Sequence, residues 1–340
     1  MKLRILTIDG GGAKGIVPAV ILEYIEARII EITGNPRVHL SDFLDFVAGT
    51  AAGSLTSTML ITPNRHGKPA YSTTEIIEKL FEFSTVYYQK KDWRSLWGNR
   101  GPKYPYEAVN DKHVEVFDHW RMKDLLLPTA IPTYDILNRK PIIFGNDKNS
   151  KYNELFVKDI VMGGSASPAW IKPTEFRDGI YKNIVVNGNS IANNPSSIAY
   201  IEAIKNPTLI EKYKKLTPEN ILLISLGSGI SKFQSHTMDN VKRWNRGNWF
   251  ELVTSMTIQS STRIEEYKME TLFNTYNCGN NYIRIDPFIN LGSSNIMDTS
   301  DHNMKDLLQD AKNYINDNKE LLNSIALRLL QENIIYRELI

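Results

Sequence analysis

Forty lysines and arginines against 38 aspartates and glutamates leave this 340-residue chain with a net charge of +2, so there is no global pull toward nucleic acid or an acidic membrane. A single cysteine, Cys278, excludes an internal disulfide framework and fits a reducing cytoplasm. No apolar run approaches the roughly 18 residues of a membrane span, no His, Cys, Asp or Glu cluster has metal-ligand spacing, and neither a repeat nor a Pro-, Gly- or Ser-rich linker divides the sequence.

The first expected strand, Leu3 to Ile8, begins so early that no signal peptide is expected. It runs into Asp9-Gly10-Gly11-Gly12-Ala13-Lys14-Gly15. A helix should follow over Val17 to Ile32, with Val17, Val20, Ile21, Tyr24 and Ile25 at helical spacing and Thr33-Gly34 as its stop. Bare glycine amides at a helix start form an anion cradle. A P-loop fails because no hydroxyl follows Lys14. A Rossmann fingerprint matches Gly10, Gly12 and Gly15, but it needs an acidic residue roughly 20 positions on, and Gly34-Asn35-Pro36-Arg37 supplies none. The third reading is an oxyanion hole, whose donors face a carbonyl oxygen as it gains charge.

The next motif favours that third reading. The apolar run Phe43 to Ala48 enters Gly49-Thr50-Ala51-Ala52-Gly53, and helix-compatible residues Ser54 to Leu60 lead out. Strand, sharp turn of small residues, then helix is the context in which G-x-S-x-G exposes a serine for acyl transfer. Glycine permits the tight turn, and the helix N-terminus favours developing negative charge. Here the central position is Ala51, which has no oxygen to attack with.

Further strands are expected at about 131–137, 141–144, 184–186 and 221–226, separated by helical stretches. That alternation implies an α/β fold with a mostly parallel sheet wrapped by helices. The turns at Gly10, Ala51 and Gly227 would then lie at C-terminal strand ends, where such sheets bind ligands. From Asn303 a helix should carry Leu307, Leu308, Ala311, Tyr314 and Ile315 on one face. His39, His66, His113, His119, His236 and His302 are scattered and read as surface or loop histidines rather than triad members.

After the strand at 184–186 come Asn187-Gly188-Asn189 and, shortly, Asn193-Asn194-Pro195. At this point the chain resembles the patatin-like phospholipase family. That family carries a D-G-G-G-x-[KR]-G oxyanion loop, a G-x-S-x-G elbow and a D-G-[GA] motif shortly before N-N-P. The likeness continues through Leu125 to Phe144, Ser165 to Trp170 with Pro173, and Leu222 to Gly229. It recurs in Tyr282-Ile283-Arg284-Ile285, Met297-Asp298 and Asn303-Met304, and so spans Leu3 to about Ile315. It implies a three-layer patatin-like domain over 1–315, with a helical extension, 316–340, packed on it.

The resemblance also implies a lipid acyl hydrolase that releases fatty acids from membrane glycerophospholipids. Its serine is activated by an aspartate alone, with no cofactor. Gly10, Gly11 and Gly12 would hold the oxyanion, with Gly15, Gly49, Gly53 and Gly188 as motif glycines. Ala51 stands where the serine belongs and Asn187 where the aspartate belongs, while Asn189 departs from the usual Gly or Ala. A carboxylate takes up a serine proton and an amide does not, so the chain as written is expected to be catalytically dead. Each change is nearly isosteric and the glycine loop is intact, which favours deliberate inactivation of an active enzyme. The alternative is a natural pseudoenzyme that binds lipid or nucleotide without cutting it.

Soluble bacterial relatives of this kind imply action on phospholipid at the inner face of the membrane. Some are antiphage effectors switched on by a cyclic oligonucleotide; a homo-oligomer is also compatible. The stretches Tyr87 to Trp97 and Lys242 to Trp249 interleave aromatic and cationic residues. They suit a membrane interface or a bound phosphate, although such rings more often pack in helix cores with solvated charges at the rim. Lys14 could meet an anionic headgroup or simply be solvated, and Ser228 reads as a turn residue rather than an elbow serine.

Overall fold

A computed structural model describes residues 1–88, 106–168, 170–178, 181–231, 237–333 and 336. Its strands in chain order are β1 (Leu3–Ile8), β2 (Phe46–Gly49), β3 (Thr129–Asp135), β4 (Lys140–Gly145), β5 (Thr174–Asp178), β6 (Tyr181–Asn187), β7 (Ile221–Leu226), β8 (Ile230–Ser231), β9 (Tyr282–Ile285) and β10 (Phe288–Ile289). One eight-stranded sheet runs β5-β6-β3-β2-β1-β7-β9 with β4 also on β3, while β8 and β10 form a separate parallel pair. The five strands from β3 to β9 in that order are mutually parallel. β4 and β6 run antiparallel to β3, and β5 antiparallel to β6.

β1 is buried along its whole length, as the apolar run of a central parallel strand requires. Alternation then divides the core. Leu6, Ile8, Val47, Ile131 and Ile224 face a layer built from α1 (Ile16–Thr33), α2 (Ala52–Ile61), α3 (Thr73–Tyr88), α4 (Tyr106–Phe117) and α5 (Val157–Ser165). Leu3, Ile5, Phe46, Ala48 and Leu223 face α7 (Ser196–Lys205), α8 (Pro207–Tyr213) and α10 (Arg246–Thr275). Two short helices, α6 (Asn189–Ala192) and α9 (Met238–Val241), follow β6 and precede α10. The chain finishes on the first side with α11 (Asp301–Asp317) and α12 (Lys319–Gln331), which pack on α1. The result is a three-layer α/β/α molecule. Among the described residues, no helix is long and apolar enough to cross a membrane.

Several expectations shift in detail. The second strand starts at Phe46, because Leu40–Phe43 wind into one 3-10 turn closed by His39 and Asp42. α1 ends at Gly34, whose φ of 62° stops it as expected. Its apolar surface is wider than one stripe, however: Ile16, Pro18, Ala19 and Leu22 are buried too, since α3, α11 and α12 cover the side away from the sheet. In α11, Leu307, Ala311 and Ile315 are buried and Leu308 and Tyr314 pack against them.

The arrangement that shapes the site lies on one edge of β3. β4 occupies the other edge from Ala130 to Asp135. On this edge β2 pairs with Thr129 and Ala130, and β6 with Thr133 to Asp135. β2 runs along β3 and β6 runs against it, so their C-terminal ends meet head-on over Ile131 and Pro132. A purely parallel sheet would have set these ends side by side.

Candidate active site

Ala51 makes the turn out of β2 with φ 49° and ψ −118°, a backbone state that side-chain-bearing residues rarely adopt. The surrounding bonds hold it there. The Thr50 amide donates to Ile8 O at 3.1 Å and its hydroxyl to Ala192 O at 2.7 Å. Ser54 donates to Ala51 O from its amide at 2.9 Å and its hydroxyl at 2.6 Å, and Ser165 adds a hydroxyl at 3.4 Å. Gly53 is needed because a Cβ would run into the carbonyl oxygens of Ile8 and Asp9. α2 therefore crosses β1 at backbone contact.

The glycine loop lies against this turn. The Gly10 amide donates to Asn193 O at 3.1 Å and the Ala13 amide to Ile296 O at 2.8 Å. Among the described residues, the amides of Gly11, Gly12 and Ala52 have no protein acceptor, which leaves three donors around the elbow. Gly12 needs its residue type: its φ is 56° and a Cβ would meet Ile296 O.

Three ties anchor the loop to the turn after β7. Ser228 Oγ donates to Gly10 O at 3.0 Å, and Lys14 Nζ to Gly229 O at 3.0 Å. The third tie is a buried charge network. Arg284 donates to both Asp9 oxygens, at 2.9 and 2.6 Å, and to Asp286 at 3.0 Å, while Asp286 accepts from the Gly229 amide at 2.9 Å. Burial pushes the Asp9 carboxyl up to about 6 against the pull of the Arg284 guanidinium. Burial opposes charge on Arg284 too, yet Asp9 and Asp286 raise it above its ordinary value. Lys14 is buried rather than solvated, and its pKa is lowered by that burial against the attraction of Asp286 and Asp9.

Asn187 ends β6 with its amide donating to Ala166 O at 2.9 Å. Gly188 packs on Pro132, and Asn189 packs over Gly10 with its Oδ1 buried and unpartnered. Gly12, Gly15, Ala51, Ala52, Asn187 and Asn189 line one cavity of about 90 Å³. Its remaining wall is mainly apolar, with Ile16, Leu55, Leu80, Phe83 and Met304. The structure thus joins the elbow, the glycine loop and the 187 turn. Gly10 and Gly11 have no part in the lining, Gly11 packing on Ser228, and Gly49, Gly53 and Gly188 serve close packing behind it.

Sequence reasoning missed the Ala52 amide, Ser165 and the apolar wall from α3. The amide was implicit in the elbow motif, and the wall had no local signal. No described histidine lines the cavity. His113 corrects the surface-or-loop expectation: it lies inside α4, is fully buried, and its Nδ1 donates to Val109 O at 2.8 Å. His236 and Gln89 to Trp97 lie outside the described residues. No group of acidic, His or Cys side chains that could hold a metal occurs among the described residues.

A parallel α/β/α core whose elbow faces unpartnered loop amides is the frame of an acyl-transfer hydrolase. Comparison with known proteins narrows that class. The patatin-like phospholipase profile matches residues 6–200. Patatin-2-Kuras 2 of Solanum tuberosum is 32% identical over 322 residues, covering 90% of this chain and 82% of that protein. Patatin-T5, also from Solanum tuberosum, is 30% identical over 321 residues with the same coverage of 90% and 82%. The chain belongs to the patatin-like phospholipase family, and this membership supports lipid acyl hydrolysis as its functional class. VipD from Legionella pneumophila aligns over 92% of this chain and 67% of its own, with a TM-score of 0.35 and 10% identity; a likeness that slight carries no functional inference.

Proposed function

We propose that this chain is the scaffold of a glycerophospholipid acyl hydrolase, with its nucleophile position at Ala51 and its base position at Asn187, and that it is silent as written. The head-on meeting of β2 and β6, which brings both positions to one cavity beside unpartnered amides, carries the reading. In the restored enzyme, the serine hydroxyl introduced by Ala51→Ser attacks the ester carbonyl, and the carboxylate introduced by Asn187→Asp takes its proton. Charge developing on the carbonyl oxygen falls to the amides of Gly11, Gly12 and Ala52. The lysolipid leaves with the proton, and water then cleaves the acyl-serine to free fatty acid. Aliphatic chain entering between Leu80, Phe83 and Met304 contributes about 0.8 kcal/mol per buried methylene.

Asn187 and Ala51 leave binding intact while removing the chemistry, so a natural lipid-binding pseudoenzyme is the second reading. Fatty-acid release from phospholipid vesicles by the double variant Ala51→Ser/Asn187→Asp separates the two, run alone and with a panel of cyclic di- and trinucleotides. The double variant should release fatty acid, with the Ala51→Ser single variant roughly 10²–10⁴-fold slower and the parent at background. Dependence on one nucleotide would identify a regulated effector. A folded double variant that releases nothing under any condition sinks the hydrolase reading.

A further inference from the structure

The Asn189 side chain makes no hydrogen bond among the described residues, although the residue is only 6% exposed. It opens α6 directly after Gly188. Its Oδ1 lies over Gly10, where a Cβ on the glycine would run into it, and is enclosed there. The other end of the amide, Nδ2, is not enclosed and belongs to the cavity wall. Buried polar groups are normally paired, so a fixed donor left open on a cavity wall is a binding group for whatever enters. The fixing is local. The Ile191 and Ala192 amides donate to Gly188 O at 3.0 and 2.9 Å, and the Thr50 hydroxyl holds Ala192 O at 2.7 Å, beside the elbow.

We propose that Asn189 Nδ2 donates to the second ester of a diacyl glycerolipid, the ester on the glycerol carbon next to the scissile bond; this rests on the hydrolase reading above. Elimination identifies the acceptor. The scissile carbonyl is met by the loop and elbow amides. Among the described residues no Lys or Arg lines the cavity, so the phosphodiester keeps its charge in solvent rather than entering. The acyl chains carry no acceptor, which leaves the neighbouring ester carbonyl. Rival donors on the wall are engaged or enclosed. Ser84 Oγ donates to Phe81 O at 2.6 Å and Ser165 Oγ to Ala51 O at 3.4 Å, while Thr299 Oγ1 is enclosed. Ser167 has a hydroxyl to offer but is half-buried, where water competes for it.

The contact makes diacyl lipid a better substrate than lysolipid. Once one chain is gone, a hydroxyl stands in place of the second ester, and its oxygen falls two bonds short of the lost carbonyl oxygen. A fixed donor then faces no acceptor and stays unpaired in a buried site. Lysolipid therefore accumulates ahead of complete deacylation.

The test compares kcat/KM for a short-chain diacyl phosphatidylcholine and its lysolipid, both below micelle-forming concentrations, in the Ala51→Ser/Asn187→Asp chain. Adding Asn189→Leu, which keeps the branched outline without the donor, should lower the diacyl-to-lysolipid ratio about three- to tenfold, the span of one hydrogen bond between uncharged groups. Asn189→Asp should lower it as well, because a carboxylate offers no donor. Effects common to both substrates, such as a disturbed base, cancel in the ratio, and activity on the lysolipid reports that each variant is folded. Ser167→Ala should leave the ratio in place. A ratio unmoved by Asn189→Leu, retained by Asn189→Asp or removed by Ser167→Ala overturns this inference and leaves the hydrolase reading standing. A folded Ala51→Ser/Asn187→Asp chain that cleaves neither lipid overturns both.

Discussion

Ala51 and Gly53 are two small residues two positions apart, and only the first tolerates a larger side chain. The Ala51 side chain faces the cavity, so Ala51→Ser should leave stability within about 0.5 kcal/mol of the parent. Gly53→Ala drives a methyl into two carbonyl oxygens and should cost about 2 kcal/mol or more. Urea denaturation of both variants tests the contrast; equal stability would mean that α2 does not cross β1 at backbone contact. Asn187 adds a pH consequence. Among the described residues no Lys or Arg lines its cavity, so the carboxylate introduced by Asn187→Asp meets desolvation without a cation and its pKa rises. The base works only when ionised, so activity of the double variant should be lost, as pH falls, at a higher pH than an ordinary carboxylate gives. A kcat/KM profile flat down to the ordinary carboxylate range would contradict this.

At the scale of elements, β9 acts through one residue. Arg284 ties Asp9 at the root of the glycine loop to Asp286 and, through it, to the Gly229 turn. Arg284→Met strands two carboxylates in a buried site and should destabilise the chain by about 3–5 kcal/mol in urea melts. Arg284→Lys keeps the charge but not the fork and should recover part of that loss. None of this was written locally, since Asp9 and Arg284 lie 275 residues apart. An arginine in the apolar run Tyr-Ile-Arg-Ile was the visible clue, because such a side chain needs a carboxylate partner. Apolar runs and turn glycines made β1, β3, β4, β6 and β7 legible, and small-residue spacing marked the elbow. Strand direction was not legible, because an apolar run reads alike both ways, and so the meeting of β6 with β2 had to come from the structure. β5, with Thr-Glu-Phe-Arg-Asp, carries too few apolar residues to stand out as a strand.

For the whole molecule, two buried groups pull stability in opposite directions as pH changes. His113 sits between α3 and α5 with Phe83 edge-on at 5.0 Å, and burial lowers its pKa from 6.5 to about 4. The unfolded chain takes up that proton first, so this contribution is present above pH 6.5 and is lost as pH falls toward 4, about 3 kcal/mol in all. Asp9, raised from 3.8 to about 6, contributes stability at low pH that is lost as pH rises through that interval. Their opposition flattens the parent's curve. His113→Leu removes one side. The stability difference between parent and variant should therefore shift by about 3 kcal/mol against the parent between pH 6.5 and pH 4, measured by urea melts at each pH. A difference constant across that range would mean that His113 is not held neutral in the fold.

The meeting of two strand ends on one edge of β3 makes that strand a ruler. Ala48 of β2 is registered at Ala130 and Asn187 of β6 at Thr133, so the gap between these two residues is metered by three residues of extended chain, about 10 Å. Covalent backbone sets this length, and helix packing has no say in it. Helices in either outer layer could be exchanged, lengthened or grafted from relatives without recalibrating the gap. Inserting or deleting a single residue between Ala130 and Thr133 would alter it at once.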